Sequence, residues 1–293
     1  MHPGPGDAPD SRPATPRSDP WDARLDLRFG AAGARGTVLK ERRHDGPLRV
    51  QKALYPEGPR VCHLAIVHPP GGIVAGDRLA ITLNAEADAH ALITTPGATK
   101  WYKAQGLTAL QEVRIAAGAD AVVEWLPQES IVFDRADCAS RMDVDLGPGA
   151  LFLGWEVLCF GRTASGESFR SGRYRQRWRI AQQGTLLWNE TGTLEGGGAL
   201  MASPIGLGGW PVCATLVAAG RPVSAALLEA VRERVASLPC AGRVGATRLP
   251  SLMVVRYAGA STEEARAAFA AIWAILRPDL VGIAAEAPRL WAT

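Results

Sequence analysis

From residue 21 to about residue 215 one short apolar run follows another, with Gly or Pro between most of them. The runs 61–67, 79–83, 91–95, 113–115, 122–126, 131–133 and 151–160 read as strands. Runs 173–180 and 185–191 read as two arms of a hairpin around Gln182, Gln183 and Gly184. Breaks fall at Pro69-Pro70-Gly71-Gly72, at Pro96-Gly97 and at Gly147-Pro148-Gly149. Many short strands at near-regular spacing leave few solutions: a sandwich, a barrel or a wound sheet. No short repeat recurs cleanly, so the sequence does not establish a regular solenoid. The expected fold is mainly β: a wound or stacked β-sheet body, β-helix-like or sandwich-like, with two C-terminal α-helices.

The helices are read from a change of period. In 224–238, Leu227, Leu228, Val231, Val235 and Leu238 form one stripe, which Pro239 stops. After a strand at 252–257, Ser261 offers an N-cap with Glu264 three residues on, a capping box. The second helix is expected to end near Leu276, before Arg277-Pro278. Residues 1–20 are Pro-rich with little to bury and are expected to form a disordered tail. Residues 21–293 are expected to form one domain, its β-body reaching about 215 and its helix-containing part starting near 216.

Composition then narrows the function. The balance of 32 Lys+Arg against 29 Asp+Glu gives +3, which offers little support for nucleic-acid binding. Cys62, Cys138, Cys159, Cys213 and Cys240 make an odd count without a CxxC pair. That argues for reduced thiols and a cytoplasmic location over a disulfide framework or zinc ribbon. The longest apolar run, 267–276, is far shorter than the ~20 residues a membrane span needs, and no signal peptide is visible.

Cys62, His63 and His68 suggest a metal cluster until strand geometry is applied. Alternation puts Cys62 and His63 on opposite faces, and separates Cys62 from His68 by about 20 Å. The glycines at 71–76 and between 192 and 209 lack the Lys-Ser/Thr and the following helix of a phosphate loop. They read as turns and a mobile loop.

Glu156 is more informative. Both parities of 151–160 are apolar, so this strand is expected to be buried on both faces, and a carboxylate there needs a partner. Either an Arg such as Arg162 pairs with it, or it faces an internal polar passage. Glu129 and Asp134 flank the run 131–133, Glu124 lies upstream, and Glu190 ends a hairpin arm. Together they offer oxygen ligands that could hold a divalent ion weakly. Paired carboxylates would also serve a β-rich carbohydrate-active enzyme, the alternative reading. Arg173, Arg175, Arg177 and Arg179 share one strand face, which reads as a solvated edge or as a docking surface for an acidic partner.

Several segments, in order, resemble one known family: GPLRVQK at 46–52, LYPEG at 54–58, HPPGGIVAGD at 68–77, LITTPGATKWY at 92–102, EWLPQE at 124–129, Gly161-Arg162 and APRLW at 287–291. They are similar to the urease accessory protein UreD (UreH) family, from about residue 25 to the end. The resemblance implies a non-enzymatic, wound β-body with two C-terminal helices. It implies partners: UreF, the GTPase UreG through the complex, and apo-urease, in a hetero-oligomer for which two copies is one arrangement. It implies no tightly bound cofactor, but Ni²⁺ in transit through an internal passage, with neither nucleic acid nor membrane involved. On that reading Glu129, Asp134, Glu156 and Glu190 are candidates for the passage lining, with Arg162 as partner of Glu156. Lys100, Trp101, Tyr102, Arg173, Arg175, Arg177 and Trp291 are candidates for the fold or an interface. The helices and the C-terminal segment would face UreF.

Overall fold

A computed structural model describes residues 20–33, 36–104 and 106–292. The tail expected at 1–20 lies outside them, except for Pro20. The strands are β1 (Asp22–Ala32), β2 (Gly36–Asp45), β3 (Arg49–Val50), β4 (Val61–Val67), β5 (Arg78–Ala85) and β6 (His90–Thr94). Next come β7 (Thr99–Trp101), β8 (Ala109–Ala117), β9 (Val122–Trp125), β10 (Ser130–Val132), β11 (Asp137–Leu146) and β12 (Leu151–Phe160). The last are β13 (Arg173–Gln182), β14 (Thr185–Glu195), β15 (Val212–Ala219), β16 (Arg243–Leu249) and β17 (Leu252–Gly259).

The chain is wound. It crosses repeatedly between a seven-stranded sheet, in the order β14-β13-β11-β8-β5-β1-β2, and a ten-stranded sheet, β16-β17-β15-β12-β9-β6-β4-β3 with β7 and β10 at the side. Because each crossing returns in the same direction, β1, β5, β8, β11 and β13 pair in parallel, as do β4, β6, β9 and β12. Antiparallel hairpins close the ends. The mainly β, wound architecture expected from the sequence is therefore present, and its arrangement is solenoid-like.

The winding does leave a trace in the sequence, one turn per coil: 85–89 (AEADA), 117–121 (AGADA) and 146–150 (LGPGA). The fourth residue of each, Asp88, Asp120 and Gly149, has positive φ. Amides bond from coil to coil, Asp88 N to Ala119 O and Asp120 N to Pro148 O, both near 2.9 Å. Glycine, or an Asp whose short side chain tolerates the left-handed region, is what such a corner requires. The repeat is hard to find by direct search because it is five residues long and its third copy, LGPGA, shares with both others only the left-handed fourth position and the closing alanine.

Two cores result. One fills the space between the sheets. The other lies between the outer face of the ten-stranded sheet and the helices α2 (Ala225–Ser237) and α3 (Thr262–Val281). A third, short helix, α1 (Ala199–Ala202), occupies the glycine-rich segment; it precedes the other two in the chain. Ser261 caps α3 as expected, accepting from Glu264 N, but the Glu264 side chain turns to the Tyr257 hydroxyl, leaving the capping box half made. The expected end at Leu276 is wrong. The helix runs through Pro278 to Val281 and stops at Gly282 in the left-handed region. A proline missing one N–H in the last turn costs little when Arg277 is anchored in the core, as shown below.

Candidate functional site

β12 is the shared wall of the two cores. Leu151, Leu153, Trp155, Val157 and Cys159 face the helices, whereas Phe152, Leu158 and Phe160 face the space between the sheets. Glu156 has the parity of the second set, so its carboxylate enters the interior of the coil. Two neutral donors meet it from β13 in the opposite sheet. The Tyr174 hydroxyl donates to Oε1 at 2.7 Å and Gln176 Nε2 to Oε2 at 2.6 Å. Burial pushes the Glu156 carboxyl up to about 7; the hydrogen bonds of Tyr174 and Ser140 oppose the rise, and the charge of Glu190 adds to it.

Two cavities meet at this side chain. The first, about 440 Å³, runs between the sheets among Ile66, Ile81, Val113, Met142 and Trp178. At its rim stand His68, the turn Gly71–Gly72 and Lys100. His68 Nε2 is buried without a hydrogen-bond partner, and burial holds its pKa below the ordinary histidine value. The second cavity, about 620 Å³, lies beside β14 and β16, the edge strands of the two sheets, and is lined by Gln176, Glu190, Cys213, Thr215 and Arg256. Glu156 lines both.

The four candidate acids do not converge. Glu156 and Glu190 share the second cavity. Glu129 lies at the foot of α3, 3.2 Å from Arg266, and lines neither cavity. Asp134 caps a turn, accepting from the amides of Arg170 and Ser171 at 2.9 Å; burial raises its pKa, but these bonds prevail and hold it low. Arg162 is not the partner of Glu156. β12 ends at Phe160, Gly161 turns the chain with φ 95°, and Arg162 forks onto Glu167 instead.

The other candidates are mostly part of the fold. Trp101 is buried edge-on to Tyr174, and Tyr102 is edge-on to Phe133. Trp291 packs on Trp155 and Trp273 and donates to Thr94. The arginine row is not a free cationic surface. Arg173 and Arg175 pair with Asp137, Arg177 with Asp143 and Arg179 with Asp145, all on the neighbouring parallel strand β11. Cys62, His63 and His68 do not form a cluster, and among the described residues no three metal-ligating side chains do. His63 bonds Glu57 instead.

Sequence reasoning missed one polar network. Glu124 on β9 is completely buried under α3 and meets His90 at 2.6 Å, Arg277 Nε at 3.1 Å and the Trp273 indole. Arg277 also forks onto Glu57. The available signal was an arginine on the apolar side of a helix.

The chain matches the family model described as UreD urease accessory protein over residues 22–292. The chain belongs to the UreD family. A urease accessory protein UreD of Azoarcus sp. (strain BH72) is 53% identical over 273 residues, covering 93% of this chain and 94% of that protein. One of Janthinobacterium sp. (strain Marseille) is 51% identical, covering 92% and 91%. Another, of Nitrosospira multiformis, is 46% identical, covering 94% and 98%. Membership of the UreD family supports a role in urease maturation. Among the described residues no helix is long and apolar enough to cross a membrane.

Proposed function

We propose that this UreD-family chain is a non-enzymatic, cytoplasmic maturation factor that conducts nickel through its wound body to apo-urease, within a complex containing UreF and, through it, UreG. The supporting observation is Glu156: a carboxylate without a cationic partner, common to two chambers. The ion is cargo. It would enter by one chamber, exchange onto the Glu156 oxygens, and leave by the chamber that holds Glu190. Oxygen donors, few in number and backed by neutral groups, suit brief residence, whereas a thiolate or imidazole cage would retain the ion. His68, with an unengaged buried nitrogen at the rim of the first chamber, is a further single contact.

A carbohydrate-active enzyme has less support. Of the two acids sharing a chamber, Glu190 is engaged by Arg256 at 2.8 Å.

The test is nickel transfer into apo-urease by the assembled accessory complex, with the wild-type chain or Glu156→Gln. Gln keeps the size and most of the hydrogen bonds but removes the charge. Assembly is expected to persist while most of the delivered nickel is lost. Wild-type delivery by an intact Glu156→Gln complex would refute the route.

A further inference from the structure

In the second chamber a cation of the protein already sits on the acid. Arg256 of β17 lies 2.8 Å from Glu190 of β14. It also donates to Thr215 Oγ1 at 2.7 Å, and its guanidinium lies over the Trp188 ring, 5.7 Å from the centroid. β14 and β17 belong to different sheets, so this pair spans the opening between them. The two ends differ in freedom. The Arg256 side chain is 45% exposed and that of Glu190 22%. Glu190 Oε2 is buried without a hydrogen-bond partner, so the arginine leaves one acceptor of the acid unfilled. Glu156, which lines the same chamber and lies on β12 across from Thr215 of β15, has only neutral donors.

A carboxylate at an exit that nothing re-occupied would lengthen the residence of a divalent ion; a carboxylate permanently locked to arginine would repel it. A half-exposed arginine avoids both, because its charge is solvated when it moves into water and the ion pair given up is a weak one. We propose that Arg256 is a place-holder cation for Glu190: it occupies the carboxylate between transits, yields to the arriving metal ion by swinging into solvent, and returns to displace that ion outward. The inference rests on the passage reading and makes Arg256 a positioning residue, not a ligand.

The experiment uses the accessory complex with the full chain and Ni²⁺ alone as probe, measuring nickel retention by equilibrium dialysis beside delivery into apo-urease. Arg256→Gln is expected to retain nickel about fivefold more tightly, the factor a partly exposed ion pair is worth, and to deliver it more slowly. Adding Glu190→Gln should cancel that gain, and Arg256→Lys should restore near-wild-type retention. A purely structural defect would lower retention and delivery together, with no dependence on Glu190. Should Arg256→Gln fail to assemble, Arg256→Met keeps an unbranched side chain without the charge and carries the same expectation. Unchanged retention in the Gln or Met variant, or a gain that survives Glu190→Gln, overturns the proposal. If delivery still collapses in Glu156→Gln, the passage stands without the place-holder; if Glu156→Gln delivers normally, the passage itself falls.

Discussion

Glu124 and Glu156 sit on neighbouring strands of one sheet, β9 and β12, and point to opposite faces. Both are carboxylates carried into apolar layers. Under the helices, Glu124 is surrounded by His90, Arg277 and Trp273. Burial raises its pKa, yet these contacts prevail and hold it below the ordinary value. Inside the coil, Glu156 receives hydrogen bonds from uncharged groups only, burial prevails, and its pKa rises to about 7. The same residue type has become a clamp on one side and an unneutralised charge beside open space on the other. A buried acid with a counter-ion, Arg277, fastens α3 to the sheet. A half-buried acid without one, next to a cavity, costs stability and is more readily explained by work on a cation.

The sharpest way to break this contrast is Arg277→Leu. Glu124 and Glu57 would then lose their shared cation inside the fold, and a loss of about 3–5 kcal/mol is expected in urea denaturation. A small loss would mean that Glu124 is not held as an ion, and the comparison would fail.

Glu156→Gln should act in the opposite direction. The acid is protonated more readily folded, near 7, than at its ordinary 4.5. Its contribution to stability is therefore intact below about 4.5, declines as pH rises to 7, and stays at its minimum above. At pH 8 the Gln variant should be more stable than wild type by about 1–3 kcal/mol, with the gain vanishing towards pH 4.5. Measured stability curves against pH check this, and a gain at pH 8 alongside lost delivery would mark a site kept for function.

Tyr174→Phe removes one donor to Glu156 while leaving the ring contacts. A loss of about 0.5–1.5 kcal/mol is expected, together with a further rise of the Glu156 pKa, followed by its carboxyl infrared band. The smallest effect should come from Arg177→Gln on the outer face, under about 1 kcal/mol by thermal melting and smaller still at high salt. If that change instead abolished complex assembly, the arginine row would be a docking surface despite its aspartate partners.

What could be read along the chain is what local chemistry fixes. Strand alternation showed that residues 151–160 are covered on both faces, and that a charge at Glu156 therefore needs an explanation. The 3.6-residue stripe identified α2, and Ser261 gave the start of α3. The end of α3 was misread because Pro278 was weighed as a local stop, while Arg277 is held by Glu57 and Glu124 from distant parts of the sequence.

Tertiary structure decided which charges meet. The arginines of β13 were visible as a row, but their aspartates on β11 are set by a parallel register that only the winding defines. Glu129 and Asp134 looked equivalent to Glu156 and Glu190 in sequence; the coil sent the first pair to a helix foot and a turn, and the second to one chamber. Alternation and desolvation act on each strand separately, so the sequence by itself determines which apolar faces are buried. Partnership depends on how successive coils stack and where the two sheets part, and no short stretch of chain contains that information.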